Sequence, residues 1–157
     1  MVPLDKIDPF INELERFKIK LEKKPNTEDI EALILLADLR INMLQSQKFF
    51  YLGRDMGDIG ITAGGFRCSE EPYLINAAYY YNESFKYGVK AYSQLDDILY
   101  IYRDVPDLRF LVGINESKVK FYGSPLFSAE SIATINTEAL TKYCDYNPRR
   151  TLKPVQI

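Results

Sequence analysis

Leu95-Asp96-Asp97-Ile98-Leu99-Tyr100-Ile101-Tyr102-Arg103 is the stretch on which the fold class turns. Ile98 to Tyr102 is an unbroken run of aliphatic and aromatic side chains. These residue types fit a pleated, half-buried surface, and the run predicts a strand. Downstream, Asp104-Val105-Pro106-Asp107 has the chemistry of a turn. Residues 109–114 read as a second strand, Asn115-Glu116-Ser117 as another turn, and residues 118–122 as a third strand that Gly123 and Pro125 break. The expectation is an antiparallel β-meander. Val89 to Ser93, or the glycine-rich stretch upstream, would add a fourth strand.

Working back from the meander, Ser69-Glu70-Glu71-Pro72 opens a helix in which Leu74, Ala78, Tyr81 and Phe85 share a face. Gly88 stands where a left-handed residue would end it. Residues 53–65 hold five of the eight glycines and read as a loop or a bulged strand. Further back, Asp8-Pro9 suggests a cap and first turn, with Ile7, Phe10, Leu14, Phe17 and Leu21 at helical spacing. Pro25 ends that helix. Asn26-Thr27-Glu28-Asp29 caps the next, with Ile30, Leu33, Ile34, Ala37, Ile41 and Leu44 on one face, reaching Leu52 and stopping at Gly53. The short connection makes the pair an antiparallel helical hairpin. Beyond the meander, Ser128 to Ser131 caps a last helix running to about Cys144. Arg149, Arg150 and Lys153 then mark a basic, extended tail.

The expected fold is therefore α+β: an N-terminal helical hairpin, a further helix, a small antiparallel β-meander, a C-terminal helix and an extended tail. At 157 residues it reads as one domain, with residues 1–53 the hairpin, 54–144 the mixed part and 145–157 the tail. A hydrophobic share of 46% is enough to bury a core and argues against disorder.

Composition narrows the chemistry. There is no histidine, which removes Ser-His-Asp and Cys-His catalysis and imidazole metal sites. Cys68 and Cys144 form no zinc motif and no disulfide framework. They read as two thiols in a reducing compartment, with a single long-range disulfide as the other possibility. A net charge of −2 offers no general attraction for nucleic acid or anionic lipid. The longest apolar run, Ala32 to Ala37, is far short of a membrane span, and no signal peptide is visible. The expected location is intracellular, with no membrane contact.

Two candidate sites stand out. Eight of the twelve tyrosines lie at positions 73, 79, 80, 81, 87, 92, 100 and 102. They cannot all point into one core, and tyrosine brings large contact area, few rotamers and a hydroxyl to an interface. Tyr79, Tyr80, Tyr81, Tyr87 and Tyr92 are the candidate partner-binding residues. Base stacking is disfavoured because residues 73–104 carry three cations against four anions.

The second candidate is Pro106-Asp107, followed after eight residues by Glu116-Ser117-Lys118. This resembles the PD-(D/E)xK signature of metal-dependent nucleases. The resemblance implies that Asp107 and Glu116 hold magnesium while Lys118 orients or activates the attacking water. In the expected hairpin, however, seven residues of strand put the two carboxylates roughly 23 Å apart. Two acids sharing one magnesium must lie within about 5 Å. The pair Asp96-Asp97 is the other carboxylate candidate. The preferred reading is a non-enzymatic interaction or assembly module, a structural component or adaptor without a cofactor, whose partner is another protein or a further copy of itself. The alternative is a magnesium-dependent nuclease or phosphodiesterase.

Overall fold

Ile7 is fully buried and lies in the first turn of the first helix. In the computed structural model, helix α1 runs Leu4–Glu22 with Pro3 at its N-cap, ahead of the Asp8-Pro9 start that the sequence suggests. The structure describes residues 2–62, 65–66, 71–102, 104 and 153–156. The Lys6 N–H donates to the Pro3 carbonyl at 2.9 Å and closes the first turn without a side-chain cap. Pro9 then lies inside the helix, where its missing N–H removes one backbone bond. The inward line of α1 is Ile7, Ile11 and Leu21, with Leu14 and Lys18 half-buried between them. Phe17, expected on that line, is 44% exposed.

Helix α2 runs Glu28–Gly60. Its start follows the sequence cap: Thr27 Oγ1 accepts the Ile30 N–H at 3.3 Å, and Glu28, Asp29 and Glu31 place negative charge in the first turn. Its end does not, because the helix continues through Gly53. A two-residue antiparallel pairing follows, β1 (Ile61–Thr62) with β2 (Gly65–Phe66), in the register Ile61 opposite Phe66 and Thr62 opposite Gly65.

Helix α3 runs Glu71–Ile101 without interruption, through Gly88 and through Leu95 to Ile101. This overturns the α+β expectation. Among the described residues the fold is helical, with three helices and the one short pairing. The expected strand over 95–103 is helix as far as Ile101, and so is Val89 to Ser93.

The reason lies in the spacing of what α3 buries. Leu74, Ala77, Tyr81, Ser84, Gly88, Ala91, Leu95, Ile98 and Tyr102 are all buried, at alternating steps of three and four. That is the period of a helix laid along another helix. A strand over 98–102 would bury alternate residues. Instead Ile98 and Tyr102 are buried, Leu99 is half-buried, and Tyr100 and Ile101 face outward.

The chain divides into two compact units, residues 1–46 with 87–124 and residues 47–86 with 125–157. Helices α2 and α3 each contribute one part to each unit. In the first, Ala32, Leu36 and Leu39 of α2 pack with Ala91, Leu95, Ile98 and Tyr102 of α3, and Leu35, Met43, Tyr92 and Leu99 close around them. A full burial of each leucine or isoleucine is worth about 1.5–3 kcal/mol. Two polar contacts set the geometry of this unit. Lys18 of α1 pairs with Asp38 of α2, and Asn42 Nδ2 of α2 donates to Gln94 Oε1 of α3 at 2.7 Å. In the second unit, Ala77 and Tyr81 of α3 pack with Phe50 and Met56 of α2. The expected strands over 109–114 and 118–122, the helix over 128–144, tail residues 145–152, Cys68 and Cys144 lie outside the described residues.

Candidate interaction surface

All five tyrosines singled out from the sequence fall on α3, but a helix turns about 100° per residue, so Tyr79, Tyr80 and Tyr81 point three ways. Tyr81 is in phase with the buried series. Its ring is 4% exposed and meets Phe50 edge to face, with centroids 5.4 Å apart and planes at 79°. Its aromatic surface is committed to the core. Tyr79 and Tyr80 lie out of phase and stay half-buried. Tyr87 and Tyr92 are also half-buried, but they belong to the other unit, where Tyr92 packs against the first core.

Tyr80 is the centre of a short aromatic chain across two helices. It stacks on Phe49 of α2, with centroids 6.1 Å apart and planes at 24°, and it takes Tyr79 edge-on at 5.5 Å and 67°. Both geometries suit the ring quadrupole. Cations border these rings. Lys48 Nζ lies 5.9 Å from the Phe49 centroid, and the Arg54 guanidinium lies 5.1 Å from that of Tyr51, whose hydroxyl accepts a hydrogen bond from Gln47 Nε2 at 3.2 Å. Phe49, Tyr79 and Tyr80 thus form a half-exposed aromatic patch carried by α2 and α3, the kind of surface that contributes most at protein interfaces.

The carboxylate candidates fare differently. Asp107, Glu116 and Lys118 lie outside the described residues. Asp96 and Asp97 are exposed on α3. Asp97 borders a hollow with Leu35, Gln94, Ile98, Tyr100 and Ile101, in which it is the one charged group among those six. No group of three or more acids or cysteines able to hold a metal ion occurs among the described residues. None of their helices is long and apolar enough to cross a membrane.

The described part of the tail shows an arrangement that the sequence reading missed. Asn76 of α3 is buried, and its side-chain amide pairs both ways with the backbone of Val155. Val155 N–H donates to Asn76 Oδ1 at 2.7 Å, and Asn76 Nδ2 donates to the Val155 carbonyl at 2.9 Å. One side chain thereby pairs with the backbone of Val155 as a strand edge would. The only hint in the sequence is an asparagine beside the apolar positions of α3.

No protein-family model, no curated protein and no solved structure matches the chain.

Proposed function

We propose that this protein is a non-enzymatic interaction module, an adaptor or structural component that binds a protein partner through the aromatic patch of Phe49, Tyr79 and Tyr80. The observation that carries the reading is the stacked Phe49–Tyr80 pair held half-exposed while its neighbour Tyr81 is buried. Burying large rings on association removes apolar area from water at little rotamer cost, because the rings are already fixed by their mutual contacts. The lysine over Phe49 supports a partner with acidic groups at the rim of the contact.

The test is affinity capture with the wild-type chain and with a Tyr79→Ala/Tyr80→Ala variant, with helicity followed by circular dichroism. The expected result is a defined partner bound by the wild type and lost in a variant of unchanged helicity. Retention of the same partner by the variant would overturn the reading. So would magnesium-dependent cleavage of nucleic acid that disappears in Glu116→Ala.

A further inference from the structure

The outward side of α3 in the first unit carries a charge pattern that the aromatic patch does not use. Val89, Lys90, Ser93, Asp96, Asp97 and Tyr100 are all exposed, and they recur along one side of the helix at spacings of three and four. Two of them are large apolar groups, Val89 at 49% exposure and Tyr100 at 70%. Lys90, Asp96 and Asp97 have no ion-pair partner among the described residues. The charges are segregated about a small residue: Lys90 stands three positions before Ser93, and Asp96 and Asp97 stand three and four positions after it.

We propose that this stripe pairs antiparallel with the same stripe of a second copy of the chain. With a two-fold axis at Ser93, position 93 − n of one copy lies opposite position 93 + n of the other. At about 100° per residue Lys90 and Asp97 lie on one flank of Ser93 and Asp96 on the other, and the two-fold keeps each flank on its own side. Lys90 therefore lies beside the partner's Asp97, about 1.5 Å apart in height, with the partner's Asp96 level with it across the seam, and symmetry repeats the contact at the other end. Such an interface is self-complementary, as a two-fold dimer requires. A parallel arrangement would set lysine on lysine and aspartate on aspartate. Ser93 at the crossing lets the helices approach closely. Val89 and Tyr100 share the other flank of Ser93, so Val89 lies three residues, about 4.5 Å along the axis, from the partner's Tyr100. An apolar contact therefore forms at each end of the charged centre.

The stripe is about 16 Å long. At the roughly 10 Å width of a helix its footprint is about 160 Å², well short of the roughly 800 Å² per partner that stable interfaces bury. The dimer is accordingly weak and salt-sensitive. The proposal rests on the interaction reading above and names one partner for it. It uses a different surface from the Tyr79–Tyr80 patch, so either can fail alone.

Sedimentation equilibrium on the full chain tests it. The wild type is expected to self-associate to twice 18.2 kDa, less strongly as salt is raised. Lys90→Asp, with helicity unchanged, is expected to weaken the dimer about tenfold or more, since each interface then holds two like-charge clusters. The full charge swap, Lys90→Asp with Asp96→Lys and Asp97→Lys, is expected to restore it. So is mixing Lys90→Asp with the Asp96→Lys/Asp97→Lys variant. A wild type that stays monomeric up to its solubility limit overturns the proposal. A dimer indifferent to Lys90→Asp, or one lost in Lys90→Asp and not recovered by the swap, overturns it too. Partner capture through Tyr79 and Tyr80 is expected to be the same in all these variants.

Discussion

Gly53 of α2 lies against the face of the Tyr81 ring: a Cβ at position 53 would stand 3.0 Å from both Cγ and Cδ2 of Tyr81. This contact explains why a glycine occupies the interior of a 33-residue helix, seven residues from its end, where it costs about 1 kcal/mol relative to alanine. Glycine lets the two helices approach closely enough for the tyrosine to lie flat on bare backbone. Gly53→Ala, which in an open helix stabilises, is therefore expected to destabilise this one by about 1–3 kcal/mol, because Phe50 limits how far the ring can yield. Urea denaturation of Gly53→Ala, Tyr81→Ala and the double variant checks this. The alanine should be harmless or helpful once the ring is gone. A more stable Gly53→Ala single variant would show that the ring moves freely.

The burial of neighbouring tyrosines sets up a second contrast. Tyr81→Ala removes a ring from the core and is expected to cost about 3–5 kcal/mol. Tyr100→Ala, at a side chain 70% exposed, is expected to change stability by no more than about 0.5 kcal/mol. Tyr80→Ala should fall between, since it removes the stack on Phe49 but opens no enclosed cavity. Thermal and denaturant unfolding of the three variants gives the order directly. Equal losses for Tyr81 and Tyr100 would contradict the inward phase assigned to α3.

Asn42 and Gln94 form a polar bond between α2 and α3 beside an otherwise apolar seam. A polar residue at such a position sets register more than it adds stability. Asn42→Ala is expected to cost about 1 kcal/mol. A double-mutant cycle with Gln94→Ala should return a coupling of about 0.5–1.5 kcal/mol. Additive losses would mean that the two amides do not act as a pair.

The junction between α1 and α2 was legible, since Pro25 and the Thr27 cap act on their immediate neighbours, whereas the start of α1 and the end of α2 were not. The lengths of α2 and α3 were less so, because glycine has two opposite uses. At a helix end it supplies a left-handed residue. Inside a helix it admits a close neighbour. Only the continuation of the three-and-four series across the glycine separates them. That series does continue across Gly88, from Tyr81 and Ser84 to Ala91, Leu95 and Ile98. The aromatic run from Ile98 to Tyr102 outweighs it in a local reading, because strand preference responds to residue type and the helical period shows only over several turns. The same phase separates the tyrosines: Tyr81 lies on the series, whereas Tyr79, Tyr80 and Tyr100 do not. No sequence rule reveals the Asn76–Val155 pairing, which joins positions 79 residues apart.

That pairing gives a prediction of local order. The Val155 amide proton is held by Asn76 Oδ1, so it should exchange with solvent more slowly than its exposed position suggests. Asn76→Ala is expected to bring exchange at Val155 to the rate of an unstructured peptide and to lower global stability by about 1–2 kcal/mol. Hydrogen exchange read by NMR at Val155 checks the first part. An unprotected Val155 in the wild type would remove the contact.

Alkaline pH should loosen the first unit from two directions. Burial, followed by the charges of Glu31 and Glu28, holds the Tyr102 hydroxyl above its ordinary value near 10. The Lys18 ammonium is raised above 10.5 by its hydrogen bond to Asp38, with the charges of Asp38, Glu15 and Glu22 adding to it and burial opposing. In both cases the folded state keeps its proton longer than the unfolded chain. The stabilisation is therefore whole below about pH 10 and is lost as pH rises through the raised values. Lys18 and Asp38 are partly exposed, so the lysine's share is small and screened by salt. Urea midpoints measured from pH 8 to 12 should fall in the wild type above pH 10. They should fall less steeply in Tyr102→Phe, whose ring fills the same space and has no proton to lose. Lys18→Met should remove the salt-dependent part of the slope. Identical slopes in all three proteins would mean that neither group is linked to folding.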